Sequence, residues 1–304
     1  MSSPLPIVHH PGYVAELPDG HRFPMRKFGA LAEHLRAEGL VPDGFHEPRE
    51  APDGWLRLAH SAAYVDGVNN GSVPRQIEKD IGLPITPEVG RRGRLATAGT
   101  VLAGKLALEY GMAANTAGGS HHARYEQGAG FCVFNDVAVA VRVLQADGDI
   151  SKALIIDLDV HQGDGTARIF AEDPSVMTLS VHGARNYPEA KAQSDVDIAL
   201  EDGTGDGAYL DVIGAAIPRA LDGFHPDIVF YNAGVDPHRE DKLGRLSLSS
   251  DGLMTRDRFV IAEVRQRGLP LAAVIGGGYG PDHDAVGERH ATIHKAMAGY
   301  LMDG

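Results

Sequence analysis

The run Leu154-Ile155-Ile156-Asp157-Leu158-Asp159-Val160-His161-Gln162-Gly163-Asp164 carries an apolar, β-branched segment straight into acids and an imidazole, then into a glycine-rich turn. Asp159 and His161 stand two apart, so on extended backbone both side chains point the same way and can converge on one cation. Three other apolar segments end in the same manner. Val176 to Val181 closes on Ser180-Val181-His182, Asp227 to Asn232 is followed by Asp236, and Leu271 to Ile275 runs into Gly276-Gly277-Gly278-Tyr279. Asp159, His161 and Asp236 make a three-ligand set with a position left for water, the pattern of a catalytic rather than a structural zinc. Two carboxylates and one imidazole are hard donors, so iron(II), cobalt or manganese compete with zinc. An ion there lowers the pKa of its water toward ~7 and polarises a carbonyl.

Acid–base groups stand close by in the sequence. Gly118-Gly119-Ser120-His121-His122-Ala123 sets two histidines in a glycine-flanked loop, and Asp157 and Asp164 flank the metal motif. A histidine acting as general base needs a partner that fixes its tautomer, and these two acids are the candidates. Tyr279 is a candidate donor to an oxyanion forming opposite the metal.

The elements that must position these groups follow from periodicity. Short apolar runs at Ala153 to Asp157, Val176 to Val181, Asp227 to Asn232 and Leu271 to Ile275 read as buried strands. Helical patterns cover Pro87 to Tyr110, Asn135 to Ala146, Asp206 to Leu221 and Arg256 to Arg267. This alternation predicts an α/β fold, a parallel sheet with helices on both faces, whose active site lies at the carboxyl ends of the strands. Met1 to Phe28 and Val41 to Pro84 are weakly patterned and read as loop-rich insertions. No low-complexity linker or repeat divides residues 1–304, which are expected to form a single domain.

Composition narrows the function classes. With 43% hydrophobic residues the 304-residue chain can bury a substantial core. A formal charge of −13 and no basic block longer than Arg91-Arg92 argue against nucleic acid as partner. No apolar run is long enough to span a bilayer, and Met1 to Gly12 has no secretory pattern. The single cysteine, Cys132, excludes an internal disulfide or a Cys-rich zinc site and reads as a packing residue; a reducing cytoplasm is the expected location. Trp55 reads as packed, and His9, His10, His60, His182, His238, His283, His290 and His294 as surface or loop histidines. His9 and His10 have a second reading, at the rim of the site.

Taken together, Gly-Gly-Ser-His-His-Ala at 118–123, Gly-Phe-Cys at 130–132, Asp-Leu-Asp-Val-His at 157–161, Asn-Ala-Gly-Val-Asp at 232–236 and Gly-Gly-Gly-Tyr at 276–279 resemble the metal-dependent histone deacetylase superfamily. That superfamily also holds acetylpolyamine amidohydrolases and acetoin-utilisation proteins, and the likeness runs from about His21 to about Gly280. It implies a three-layer, open, eight-stranded, mainly parallel sheet of the arginase/deacetylase fold. It also implies Asp159, His161 and Asp236 as zinc ligands and His122 as the proton shuttle, with His121 assisting. Asp157 would pair with His121, and Asp164 with His122. Gly130, Phe131, Tyr187, Gly277 and Gly278 would shape the substrate tunnel, with Tyr187 facing Phe131 and Tyr279 polarising the carbonyl. A potassium ion is implied near Asp157, Asp159, His161, Ser180 and Val181, largely through backbone oxygens.

Two departures stand out. Gln162 replaces the second histidine of the His-His-Gly form, which is similar to the class IV branch, whose members remove acetyl or long fatty-acyl groups from lysine. Glu189-Ala190-Lys191-Ala192 replaces a glycine-rich continuation after Tyr187-Pro188 and leaves the shape of one tunnel wall open. The expected activity is hydrolysis of an acylated lysine in a protein or peptide. The alternatives are an acetylpolyamine amidohydrolase acting on a small acylated amine, a two-manganese ureohydrolase, and an inactive acyl-lysine-binding module. An oligomer is compatible with the sequence.

Overall fold

Parallel strands buried on both faces need a helical cover on each side, and the chain supplies it. A computed structural model describes residues 5–303. Seven strands, β1 (Ile7–Val8), β2 (Met112–Asn115), β3 (Ala153–Asp157), β4 (Val176–Gly183), β5 (Val196–Leu200), β6 (Ile228–Asn232) and β7 (Leu271–Val274), form one sheet in the order β1-β2-β7-β6-β3-β4-β5. Every pairing is parallel. The architecture is a single open α/β domain, as expected. The sheet has seven strands among the described residues rather than eight, and it is wholly rather than mainly parallel.

The four strands read from apolar runs are all present, each within two residues of its expected end. The three others are short or weakly apolar: β1 has two residues, β2 is Met-Ala-Ala-Asn, and β5 is an edge strand of alternating burial. Helix Pro87–Tyr110 lies where its pattern placed it. Thr86 accepts from the Val89 N–H, proline fills the first turn, and Gly111 at φ +88° ends it. Helix Ser250–Gln266 begins earlier than its apolar pattern because Ser249 caps it at the Gly252 N–H. The segments read as loop-rich insertions are more ordered than that. Residues 41–84 contain helices Asp53–Leu56, Ala62–Asn69 and Arg75–Ile81, and β1 lies within the first segment, whose residues 1–4 fall outside the described ones.

Strand order decides where a site can form. From β3 the chain steps outward through β4 to β5, then returns to the other side of β3 with β6 and β7. Connections therefore leave β3 and β6 in opposite directions and open a crevice at their carboxyl ends. The register sets Asp157 beside Asn232 on one side and Ser180 on the other, with Val274 next to Asn232. The loops after β2, β3, β6 and β7 thus meet in one place.

Candidate active site

At that crevice Asp159, His161 and Asp236 are buried, and their ligand atoms all lie within 4.8 Å of one another. His161 Nδ1 sits 3.1 Å from Asp159 Oδ1 and 3.0 Å from Asp236 Oδ2. The remaining carboxylate oxygens are held by backbone: Gly277 N–H donates to Asp159 Oδ2 at 2.6 Å, and Val160 N–H to Asp236 Oδ1 at 2.8 Å. One oxygen of each acid and one imidazole nitrogen are therefore turned to a common point. Burial and the Asp159 carboxylate push Asp236 up to about 7, as expected of two buried acids with too little positive charge between them. A divalent cation fits this set. Gly277 is required for its closure, since a Cβ there would lie 2.1 Å from Asp236 Oδ2.

The histidine pair is wired as the acids beside it suggested. His121 Nδ1 is 2.7 Å from Asp157 Oδ2, His122 Nδ1 is 2.8 Å from Asp164 Oδ1, and the two Nε2 atoms face each other at 3.1 Å. Burial opposes charge on His121, but Asp157 and then Asp159 outweigh it and hold that imidazole up at about 9. Burial, reinforced by charge on His121, drives His122 down to about 3 despite its bond to Asp164. Asp157 thus favours the charged form of His121, while burial favours the neutral form of His122.

A tunnel of about 320 Å³ reaches this centre, lined by His122, Gly130, Phe131, His161, Tyr187 and Tyr279 among others. Gly130 and Phe131 both adopt positive φ, +54° and +67°. The turn is held by their N–H groups, which donate to the Asp80 and Ile81 carbonyls at 2.9 and 2.6 Å. A side chain in this conformation is uncommon, and here it places the Phe131 ring 5.8 Å from that of Tyr279. Tyr187 lies edge-on to His122 with ring centroids 4.8 Å apart. Burial, then Asp159 and Asp236, raises Tyr279 well above the usual phenol range, so it stays a hydrogen-bond donor. Beyond the centre is a second cavity of only about 30 Å³, bounded by His121, Asp159, Gly277, Tyr279 and the cations Lys27 and Arg92.

Some expectations need correcting. Gly278 does not line the tunnel: its carbonyl, like that of Gly276, accepts from Lys27 Nζ at 3.2 Å, and Gly277 borders only the inner cavity. His9 packs against Tyr13 and Phe45 and bonds Thr116, and His10 accepts the Gly12 N–H, so neither is at the rim. His9, His60, His182, His238, His290 and His294 are buried, not surface, residues. Imidazoles can be kept neutral inside a fold, a state that sequence polarity does not reveal. Ser180 neighbours Asp157 across the strands, while its hydroxyl lies 3.0 Å from His182 Nδ1. Cys132 and Trp55 pack as read.

Several supporting residues gave no local signal. Arg124 holds Asp164 from the side opposite His122, at 2.8 Å. Asn232 donates to Asp157 Oδ1 at 2.9 Å. Asp136 accepts the Gly119 and Ser120 N–H groups and so fixes the histidine loop. Asp241 accepts from Tyr279, Leu243 and Gly244 N–H. Only the Asn-Ala-Gly-Val-Asp motif hinted at any of these.

Comparison with known proteins agrees with this geometry. The histone deacetylase domain profile matches residues 21–295. An uncharacterized protein of Picosynechococcus sp. is 44% identical over 96% of this chain and 97% of its own length. The histone deacetylase 2 of Arabidopsis thaliana is 33% identical over 85% of this chain and 70% of its own. A probable deacetylase of Methanothermobacter thermautotrophicus is 30% identical over 96% and 90%. The crystal structure of the HDA15 HD domain superposes with a TM-score of 0.81 at 22% identity, covering 98% of this chain and 89% of that one, which establishes a common fold.

Proposed function

Since the chain belongs to the histone deacetylase family, we propose that it hydrolyses the amide between a short acyl group and the ε-amine of lysine, with zinc as the resident ion. The observation that carries this is the meeting, at the end of one tunnel, of the Asp159/His161/Asp236 cluster with two histidines, each held by its own carboxylate. When bound, the divalent cation activates a water and polarises the amide carbonyl. His122, lining the tunnel and held neutral, takes the proton of the attacking water and delivers one to the departing amine as the C–N bond breaks. His121, charged against Asp157, favours the developing negative charge. Tyr279 donates a hydrogen bond to the carbonyl oxygen as that charge builds. The products are a carboxylate and a free lysine side chain.

The inner cavity favours acetyl over fatty acyl. Its 30 Å³ exceeds the ~10–15 Å³ that a water requires. It offers a methyl group a seat and a long alkyl chain none. Gln162 supports placement near the class IV branch, and the potassium ion that the resemblance implies would lie near Asp157 and Ser180, which pair across β3 and β4. A ureohydrolase with two manganese ions is disfavoured: Gly163 stands where a further bridging acid would be needed, and among the described residues one ligand cluster is present. The test is a panel of acetyl-, butyryl- and myristoyl-lysine peptides with acetylspermidine, on protein loaded with a defined metal. Acetyl-lysine should be turned over fastest; preference for myristoyl would overturn the short-acyl assignment, and inactivity on every substrate the deacylase reading.

A further inference from the structure

The chain carries 41 acidic against 28 basic residues, yet the mouth of the tunnel is basic. Arg22, Lys79, Arg185 and Arg245 line it from four separate segments, with Asp80 the one acid among the lining residues. All four are exposed. Arg185 and Arg245 share a single carboxylate, Asp202, at 3.4 and 3.2 Å, so two guanidinium charges meet one compensating charge. Arg22 lies over the Phe131 ring at 4.9 Å, which holds its charge at the rim without neutralising it. Asp80 bonds the Gln76 amide rather than a cation. The rim therefore keeps a net positive charge on a molecule that is otherwise negative. Focusing of that field at a concave mouth attracts anions and repels cations.

Resting on the deacylase reading, we propose that the acylated lysine this site accepts lies in an acidic stretch of protein, with aspartate or glutamate within a few residues on either side. Once the lysine stem fills the tunnel, its neighbours in the chain lie over the rim, where carboxylates meet guanidinium groups and lysine or arginine would be repelled. The same field disfavours acetylated polyamines, whose free ammonium groups would have to sit there.

Three acetyl-lysine peptides of equal length, with Glu/Asp, Gly/Ser or Lys/Arg flanks, test this alongside acetylspermidine. We expect kcat/KM to fall in that order across about tenfold, the spread shrinking as salt rises. Anisotropy of labelled peptides on the His122→Ala variant, which is expected to bind without turnover, should give the same order in Kd. In the double variant Arg185→Glu/Arg245→Glu, the ratio of acidic to neutral peptide should invert. Turnover of the Gly/Ser peptide with no preference for acidic flanks, or with acetylspermidine preferred, overturns this inference and leaves the deacylase reading standing. Failure to hydrolyse any of the substrates removes both.

Discussion

Gln162 and Ala192 bind one another twice: Gln162 Nε2 donates to the Ala192 carbonyl at 2.9 Å, and Ala192 N–H donates back to Gln162 Oε1 at 2.7 Å. The two departures from the superfamily pattern are thus one structural feature. The amide beside His161 ties down the segment that follows Tyr187-Pro188, and Lys191 Nζ bonds the Pro188 carbonyl at 2.6 Å to complete the fold of that wall. Gln162 also donates to Asp197 at 2.7 Å.

Replacing Gln162 by Ala should therefore loosen the Tyr187 wall rather than the chemistry. We expect KM for acetyl-lysine peptide to rise about three- to tenfold with kcat moved less. Loss of the buried amide should cost about 1–3 kcal/mol of stability. Steady-state kinetics and thermal melts check both. An unchanged KM would mean that the wall holds its shape without this pair.

His122 is predicted to govern turnover and not metal loading. His122→Ala should lose about 10²–10⁴ in kcat while binding cobalt as the parent does, read from the absorption of the loaded protein. Parent-like turnover would remove His122 from its proton-transfer role.

Cation binding should be visible as stability. Zinc bound only to the folded chain should raise the melting temperature, equivalent to about 2.7 kcal/mol at a hundredfold excess over Kd. Asp236→Ala should abolish that response, and a chelator should remove both the increment and the activity. A zinc-dependent shift of the same size in Asp236→Ala would place the ion elsewhere.

Asp241 is predicted to act through Tyr279. Its carboxylate accepts three backbone N–H groups, that of Tyr279 at 2.6 Å. Asp241→Ala should lower kcat by about tenfold or more with little change in metal affinity, and Asp241→Asn, which keeps an acceptor, should recover part of it. Equal kinetics in the two variants would count against positioning through that carboxylate.

Stability should fall in mild acid because of buried neutral histidines. His60 donates from Nδ1 to the Arg124 carbonyl at 2.8 Å and accepts the Asn135 N–H at Nε2 at 2.9 Å, an arrangement that only the neutral ring satisfies. Burial lowers His60 and His294 to about 4, from 6.5 when unfolded. Between those values the unfolded chain binds protons that the folded one does not. The stability present above pH 6.5 is lost as pH drops toward 4, on the order of 3 kcal/mol for each such group. Melting temperature against pH should show this fall, and His294→Leu should flatten it; an unchanged slope would clear His294 of any part.

The sequence by itself determined the α/β class, four of the seven strands among the described residues, helix Pro87–Tyr110 and the chemical groups of the centre. Asp159, His161, Asp236 and Tyr279 follow strong apolar runs, and a strand's period of two makes Asp159 and His161 neighbours without knowledge of the fold. Short strands such as Ile7–Val8 and Met112–Asn115 were invisible, since their place depends on neighbours distant in sequence that supply the ladder. Tertiary structure alone brought Arg124, Asp241 and Gln162 to their partners. It also set the size of the inner cavity and gathered four basic residues from separate segments around one mouth. Hydrogen-bond partners and field shape depend on distances through space, whereas patterns along a chain report only periodicity, local preference and residue type.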